Sequence, residues 1–148
     1  MSTVQATIKI DVPPERVWET IMDPQRLGDW VTIHKSVDKV VNPGQPGATM
    51  EQMLQMRGVS FKVKWKLATV QSPRHAEWDG AGPAHSRALI RYELQADGDN
   101  RTVFEYTNEF TPPGGMLGNV ASRVVVGAAS EREANNSLRR LKSLLESN

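Results

Sequence analysis

Val4, Ala6, Ile8 and Ile10 alternate with Gln5, Thr7 and Lys9. A period of two is what a strand with one buried face produces, so the chain opens on a β-strand. Asp11 is placed to cap a helix entered at Pro13-Pro14-Glu15, since proline tolerates the first helical turn and an acid suits its positive end. Val17, Trp18 and Ile21 give that helix an apolar side that should pin it under a sheet. Asp23-Pro24 stops it, and Gln25 to Trp30 reads as a second short helical piece ending in a large aromatic.

From about residue 34, strand-like runs are separated by turn chemistry at Asn42–Gly47, Gly58, Ser72-Pro73, Asp79–Pro83 and Asp97–Asn100. Five breaks make six strands, about seven with the first, and connections this short favour antiparallel pairing. Phe61, Val63, Trp65 and Leu67 alternate with Lys62, Lys64 and Lys66, which predicts an apolar inner face and a basic outer one. Ala88, Ile90, Tyr92 and Leu94 behave likewise. After Thr111–Gly115 the period changes: Leu117, Val120, Val124, Ala128, Leu138, Leu141 and Leu145 recur at helical steps, as one long helix.

This order predicts an α+β fold, a curved antiparallel sheet of about seven strands around a long C-terminal helix, with two short helices after the first strand. Residues 1–148 read as one domain. A sheet this wide has an inner face too large for one helix to cover while flat, so it should curl and enclose a cavity. By parity the interior receives Met50, Met56, Trp65, Trp78, Tyr92, Phe104, Tyr106 and Phe110, with Trp30 at one end and Val124 and Ala128 on the helix opposite.

Composition narrows the classes of function. Hydrophobic residues make up 39% and charged residues 24% of the chain, which is globular rather than disordered. Lys plus Arg number 18 against 17 Asp plus Glu, so no overall field would draw the chain to nucleic acid or an anionic membrane. The row Lys62, Lys64, Lys66 lacks interleaved exposed aromatics and reads as a solvated face. The absence of cysteine removes disulfides, thiolate catalysis and thiolate-bound metals. No secretory leader pattern and no run of about 18 apolar residues is present, so a cytoplasmic location without stable membrane insertion is expected.

The run Ile8-Lys9-Ile10-Asp11-Val12-Pro13-Pro14-Glu15-Arg16-Val17-Trp18, followed by Ile21, Asp23, Leu27 and Trp30, resembles the opening of the START/Bet v 1-like (SRPBCC) superfamily, in particular its polyketide cyclase/dehydrase and lipid-transport branch. The resemblance extends in pattern over almost the whole chain and implies a helix-grip fold. Trp30-Val31-Thr32-Ile33-His34-Lys35, Gly58 and Lys64-Trp65-Lys66 are also similar to an actinobacterial subgroup, some members of which are named as toxins of toxin–antitoxin pairs. Members of the superfamily typically bind lipids, sterols or polyketides between sheet and helix, and only some are enzymes.

Candidate chemistry is sparse. His34, His75 and His85 lack the spacing of a helical zinc motif, so neither metal nor cofactor is expected. Tyr106 and Asn108 share the inward parity of Phe104 and Phe110, and Gln52 that of Met50, so these polar groups could orient a ligand. His34, near the expected cavity mouth, Tyr106, and Glu131, counted in sevens from Leu138 and Leu145, are the candidates for proton transfer. Three functions follow: a binder or carrier of a small hydrophobic molecule, contacted by Trp30, Met50, Gln52, Trp65, Trp78, Tyr92, Tyr106, Asn108, Val124 and Ala128; a polyketide-type cyclase or dehydratase; and a toxin-like or regulatory protein acting through its surface. A homodimer is allowed for.

Overall fold

The computed structural model describes residues 2–111 and 120–147, with side chains for 2–111 and 131–147. Seven strands form one antiparallel sheet: β1 (Ser2–Ile10), β2 (His34–Val41), β3 (Thr49–Met56), β4 (Val59–Gln71), β5 (His75–Ala81), β6 (Arg87–Ala96) and β7 (Thr102–Thr111). Their order across the sheet is β1-β7-β6-β5-β4-β3-β2. Every consecutive pair from β2 to β7 is therefore a hairpin, while β1 closes against β7 at the far edge. Among the described residues there are three α-helices, α1 (Pro14–Ile21), α2 (Leu27–Trp30) and α3 (Val120–Glu146), and short 3-10 turns over Pro24–Arg26 and Pro83–His85. The curved sheet, the two short helices and the long last helix are those expected from the periodicity.

Local chemistry explains most boundaries. Arg57 and Gly58 both adopt positive φ, 52° and 79°, the geometry of a two-residue hairpin turn whose twist matches the strands beside it. Asp23 accepts a hydrogen bond from the Gln25 N–H at 3.0 Å and so caps the 3-10 turn. Asp11, in contrast, does not cap α1. Pro13 takes the cap position with extended φ/ψ, and no side chain bonds the first turn. Asp11 instead receives the Arg101 guanidinium at 2.8 Å, and its backbone N–H donates to Glu146 at 2.7 Å. Val17 and Ile21 are buried, and Trp18 packs against the same core half-buried, beside Val40 and Pro43.

The turn expected over Asp79–Pro83 begins later, because Asp79, Gly80 and Ala81 remain in β5. Gly80 is not a turn residue. It faces Trp65 across the β4–β5 ladder, and a Cβ there would meet the indole at 2.5–2.9 Å. Glycine in a strand here provides room for a ring to lie across the backbone.

The inner face of the sheet changes character along the strands. At one end Ile10, Leu67, Ala76 and Phe104 are fully buried and Leu94 nearly so, and with Leu138, Leu141 and Leu145 of α3 they form a solid core. Toward the other end Phe61, Ile90, Tyr106, Asn108 and Phe110 retain exposed surface although they point inward. That surface faces a cavity.

Candidate functional site

The cavity has a volume of about 700 Å³, is lined by residues of β3 to β7, α1, α2 and the described part of α3, and is open at one end. It lies within the range of about 300–1,000 Å³ typical of sites for small organic molecules. Strand parity builds its walls, since every second residue of β3, β4, β6 and β7 points in. Met50, Gln52, Leu54 and Met56 come from β3, Phe61, Val63 and Trp65 from β4, and Trp78 from β5. Ala88, Ile90 and Tyr92 of β6 pair across the ladder with Phe110, Asn108 and Tyr106 of β7. Arg57 of the β3–β4 turn with Val59 at the start of β4, and Gly82, Pro83 and Ser86 between β5 and β6 with Arg87 at the start of β6, form the rim at the open end.

Its floor is aromatic. Trp30 sits edge-on to Tyr92 and Phe104, with ring centroids 6.2 and 6.5 Å apart, and Tyr92 lies 5.6 Å from Phe104 and 6.2 Å from Tyr106. These are the separations at which aromatic edges and faces attract. Trp30 is delivered by α2, which packs against α3 and so holds the indole under the helix.

The polar groups are few. Burial pushes the Tyr106 phenol up to about 12, while the neighbouring Asn108 side chain pulls the other way. Tyr92 is raised further, by burial and then by Tyr106. Both phenols are therefore neutral at physiological pH and offer O–H groups rather than bases. Trp30 Nε1 and Asn108 Oδ1 are the buried side-chain polar atoms without a hydrogen-bond partner among the described residues, and both belong to cavity-lining side chains. Atoms of this kind are rare in native structures, because each forgoes the hydration it had in the unfolded chain.

Gln52 is differently situated. Its Oε1 accepts from the Trp65 indole N–H at 2.9 Å, and its Nε2 lies 2.9 Å from His34 Nδ1. Its amide is thus engaged by the protein. His34 stands behind Gln52 and does not line the cavity, and burial lowers its pKa below the ordinary 6.5.

Of the ten residues expected to meet a ligand, eight line the cavity: Trp30, Met50, Gln52, Trp65, Trp78, Tyr92, Tyr106 and Asn108. The side chains of Val124 and Ala128 lie outside the described residues. Glu131 is exposed, so its expected inward placement is corrected. The acid at the cavity edge is Glu133, whose carboxylate accepts from Thr32 Oγ1 at 2.6 Å; Ser137, one turn on, accepts from the Thr32 N–H at 3.0 Å. The flank of α3 bearing Glu133 and Ser137 is covered by the residues following α2, and Glu131 lies on the opposite flank. Counting in sevens from the leucines could not reveal which flank α2 covers; the spacing of Glu133 and Ser137, one helical turn, was the available signal.

Residues 1–146 match the family model described as polyketide cyclase/dehydrase and lipid transport. Two Mycobacterium tuberculosis proteins named as toxins are 26% identical over 83 residues, which is 55% of this chain and 58% of theirs. The match thus spans somewhat more than half the length of these relatives. Among solved structures, the Zhui aromatase/cyclase from a Streptomyces species superposes with a TM-score of 0.83 at 17% identity, covering 98% of this chain and 93% of that one. A START superfamily protein from Mycobacterium smegmatis gives 0.80 at 13% identity, covering 98% and 97%. A conserved protein from Geobacillus kaustophilus gives 0.79 at 17%, covering 99% and 96%. At these identities the structural likenesses bear on fold alone.

Proposed function

Because the chain belongs to the polyketide cyclase/dehydrase and lipid-transport family, we propose that it binds one small, largely apolar, ring-bearing molecule inside the cavity and acts as its carrier or receptor. The observation that carries this reading is a deep cavity of about 700 Å³, open at one end and walled mainly by aromatic and aliphatic side chains. Apolar surface released from water drives entry, and flat aromatic walls favour a flat guest. Orientation would come from the Tyr92 and Tyr106 hydroxyls and from Asn108, whose Oδ1 lacks a protein partner and would face a ligand donor after a turn of the amide.

Binding is favoured over turnover by the state of the titratable groups. A cyclase or dehydratase needs a proton acceptor beside the reacting carbon. Tyr106 is held protonated, His34 is behind Gln52, Glu131 is in solvent, and Glu133 is bonded to Thr32.

The test is a titration with the fluorophore anilinonaphthalene sulfonate, read by dye emission and by quenching of the cavity tryptophans. Saturation at one equivalent per chain is expected. Ala88→Trp, which adds bulk to the wall, should weaken binding about tenfold or more while leaving circular dichroism unchanged. Unaltered affinity in that variant would place the dye elsewhere and sink the reading. Steady conversion of a poly-β-keto thioester by the purified chain would turn it toward the cyclase.

A further inference from the structure

Trp65 is fixed by a hydrogen-bond chain with only one consistent assignment of donors. An indole N–H can only donate, so Gln52 must present its carbonyl to Trp65 Nε1. The other end of the amide, an NH₂ group, then donates to His34 Nδ1. Nδ1 is therefore an acceptor, and His34 is neutral with its proton on Nε2. Gln52 and Trp65 are both buried, Gly80 backs the indole face, and Gly28 of α2 lies against the imidazole. The chain thus runs from the outside of the sheet edge, through the wall, to a ring that bounds the cavity.

A protonated His34 does not fit. Its Nδ1–H would point at the Gln52 NH₂, donor against donor. Turning the amide over would satisfy the imidazolium and set the NH₂ against the Trp65 N–H. Either way one contact is lost. We propose that His34 and Gln52 are positioning residues for the cavity wall, holding the Trp65 indole in place while His34 is neutral, so that protonation of His34 releases the indole and weakens ligand occupancy. This rests on the reading that the cavity binds a ligand.

The surroundings leave the switch to His34 itself. Of the charged groups on neighbouring elements, Asp29 pairs with Arg26, Glu51 with Lys39 and Lys62, Glu133 bonds Thr32, and Lys35 reaches Ser60. Among the described residues none forms an ion pair with the imidazole, and burial alone lowers its pKa. The transition consequently falls below pH 6.5.

The experiment follows two probes in the ¹⁵N-labelled protein: the imidazole C–H resonance of His34 and the indole N–H resonance of Trp65, assigned with His34→Asn and Trp65→Phe. Both should move with one midpoint in the wild type. In His34→Asn, which supplies a non-titrating acceptor, the indole resonance should keep its neutral-pH position and lose its pH dependence. Gln52→Glu reverses the logic, because a carboxylate accepts from both the indole and the imidazolium. The His34 midpoint should then rise, and dye affinity should hold or improve as pH falls. In the wild type, affinity for anilinonaphthalene sulfonate should drop roughly three- to tenfold across the transition, the worth of one net hydrogen bond.

An indole resonance indifferent to the His34 titration overturns the proposal, as does an unchanged or lowered midpoint in Gln52→Glu. Coupled resonances with pH-independent dye affinity overturn the control of occupancy. Coupled resonances with no dye binding at any pH defeat the ligand-binding reading and leave the positioning of Trp65 supported.

Discussion

Gly80 and Trp65 show how much one side chain's absence does. The indole lies where a Cβ at residue 80 would be, within 2.5–2.9 Å of its ring atoms, so no side chain fits without moving the ring. Gly80→Ala should push Trp65 off the backbone, break its bond to Gln52 and strand His34. The expected cost is about 1–3 kcal/mol, in the range of overpacked cores, measured by denaturant unfolding. Trp emission should shift at the same time, since the displaced indole loses its buried hydrogen bond. A variant of unchanged stability and unchanged emission would show that the ring does not occupy the space of a Cβ at residue 80. The cavity's polar character is set at this scale too, since two neutral phenols and a few amide atoms distinguish it from a purely greasy hole.

Elements divide the labour between anchoring and enclosing. The last third of α3 carries Leu138, Leu141 and Leu145, all buried, and seals the solid end of the sheet. Leu141→Ala should cost about 2–5 kcal/mol by thermal or chemical unfolding, because a fully buried leucine leaves a cavity behind. Arg140→Ala, on the exposed face, should stay within about 0.5 kcal/mol. The tip of the helix is tied to the start of the chain. Lys142 Nζ donates to the Lys9 carbonyl at 2.8 Å and to Glu146 at 2.7 Å, and Glu146 accepts the Asp11 N–H. These contacts hold the Glu146 carboxyl below its ordinary 4.5, with the Lys142 hydrogen bond the largest cause.

For the whole molecule, pH acts through these ties with a definite sign. Glu146 has a depressed folded pKa, so its contribution is complete above 4.5 and is lost as pH falls through the lower folded value. His34, also depressed, is a base held neutral: its contribution is complete above 6.5 and declines from there downward, where the unfolded chain takes up the proton first. Wild-type Tm should therefore begin to fall below pH 6.5, ahead of the general carboxylate region. The first part of that fall should be missing in His34→Asn, and the part near pH 4 reduced in Glu146→Gln. Parallel Tm profiles for all three proteins would refute the assignment. The sheet gains from the same end-to-end gradient, firm where the leucines of α3 dock and open where the cavity lies.

Alternation on β1, β4, β6 and β7 sufficed to reveal which residues point inward, because the period of a strand is a local property of the backbone. The number of strands followed from turn residues for the same reason, and the sequence of short hairpins left little choice of topology. Seven cavity-lining side chains on the strands were legible in this way, since parity assigns a face, and Trp30 was legible as the aromatic that ends the second short helix. Other features depend on what lies across the ladder or beside the helix. Gly80 reads locally as a turn and is a cradle only because Trp65 faces it. Asp11 reads as a cap, and is taken instead by Arg101 and Glu146, 90 and 135 residues away. Glu131 reads as an inward acid by its spacing, and it is the docking of the residues after α2 on the other flank of α3 that places Glu133 at the cavity edge instead. Gln52 reads as a free polar group for a ligand, and its commitment to Trp65 and His34 arises from packing three separate segments together. Contacts of long sequence separation carry no local period, and they decide which inward polar groups are spent on the protein and which remain for a guest.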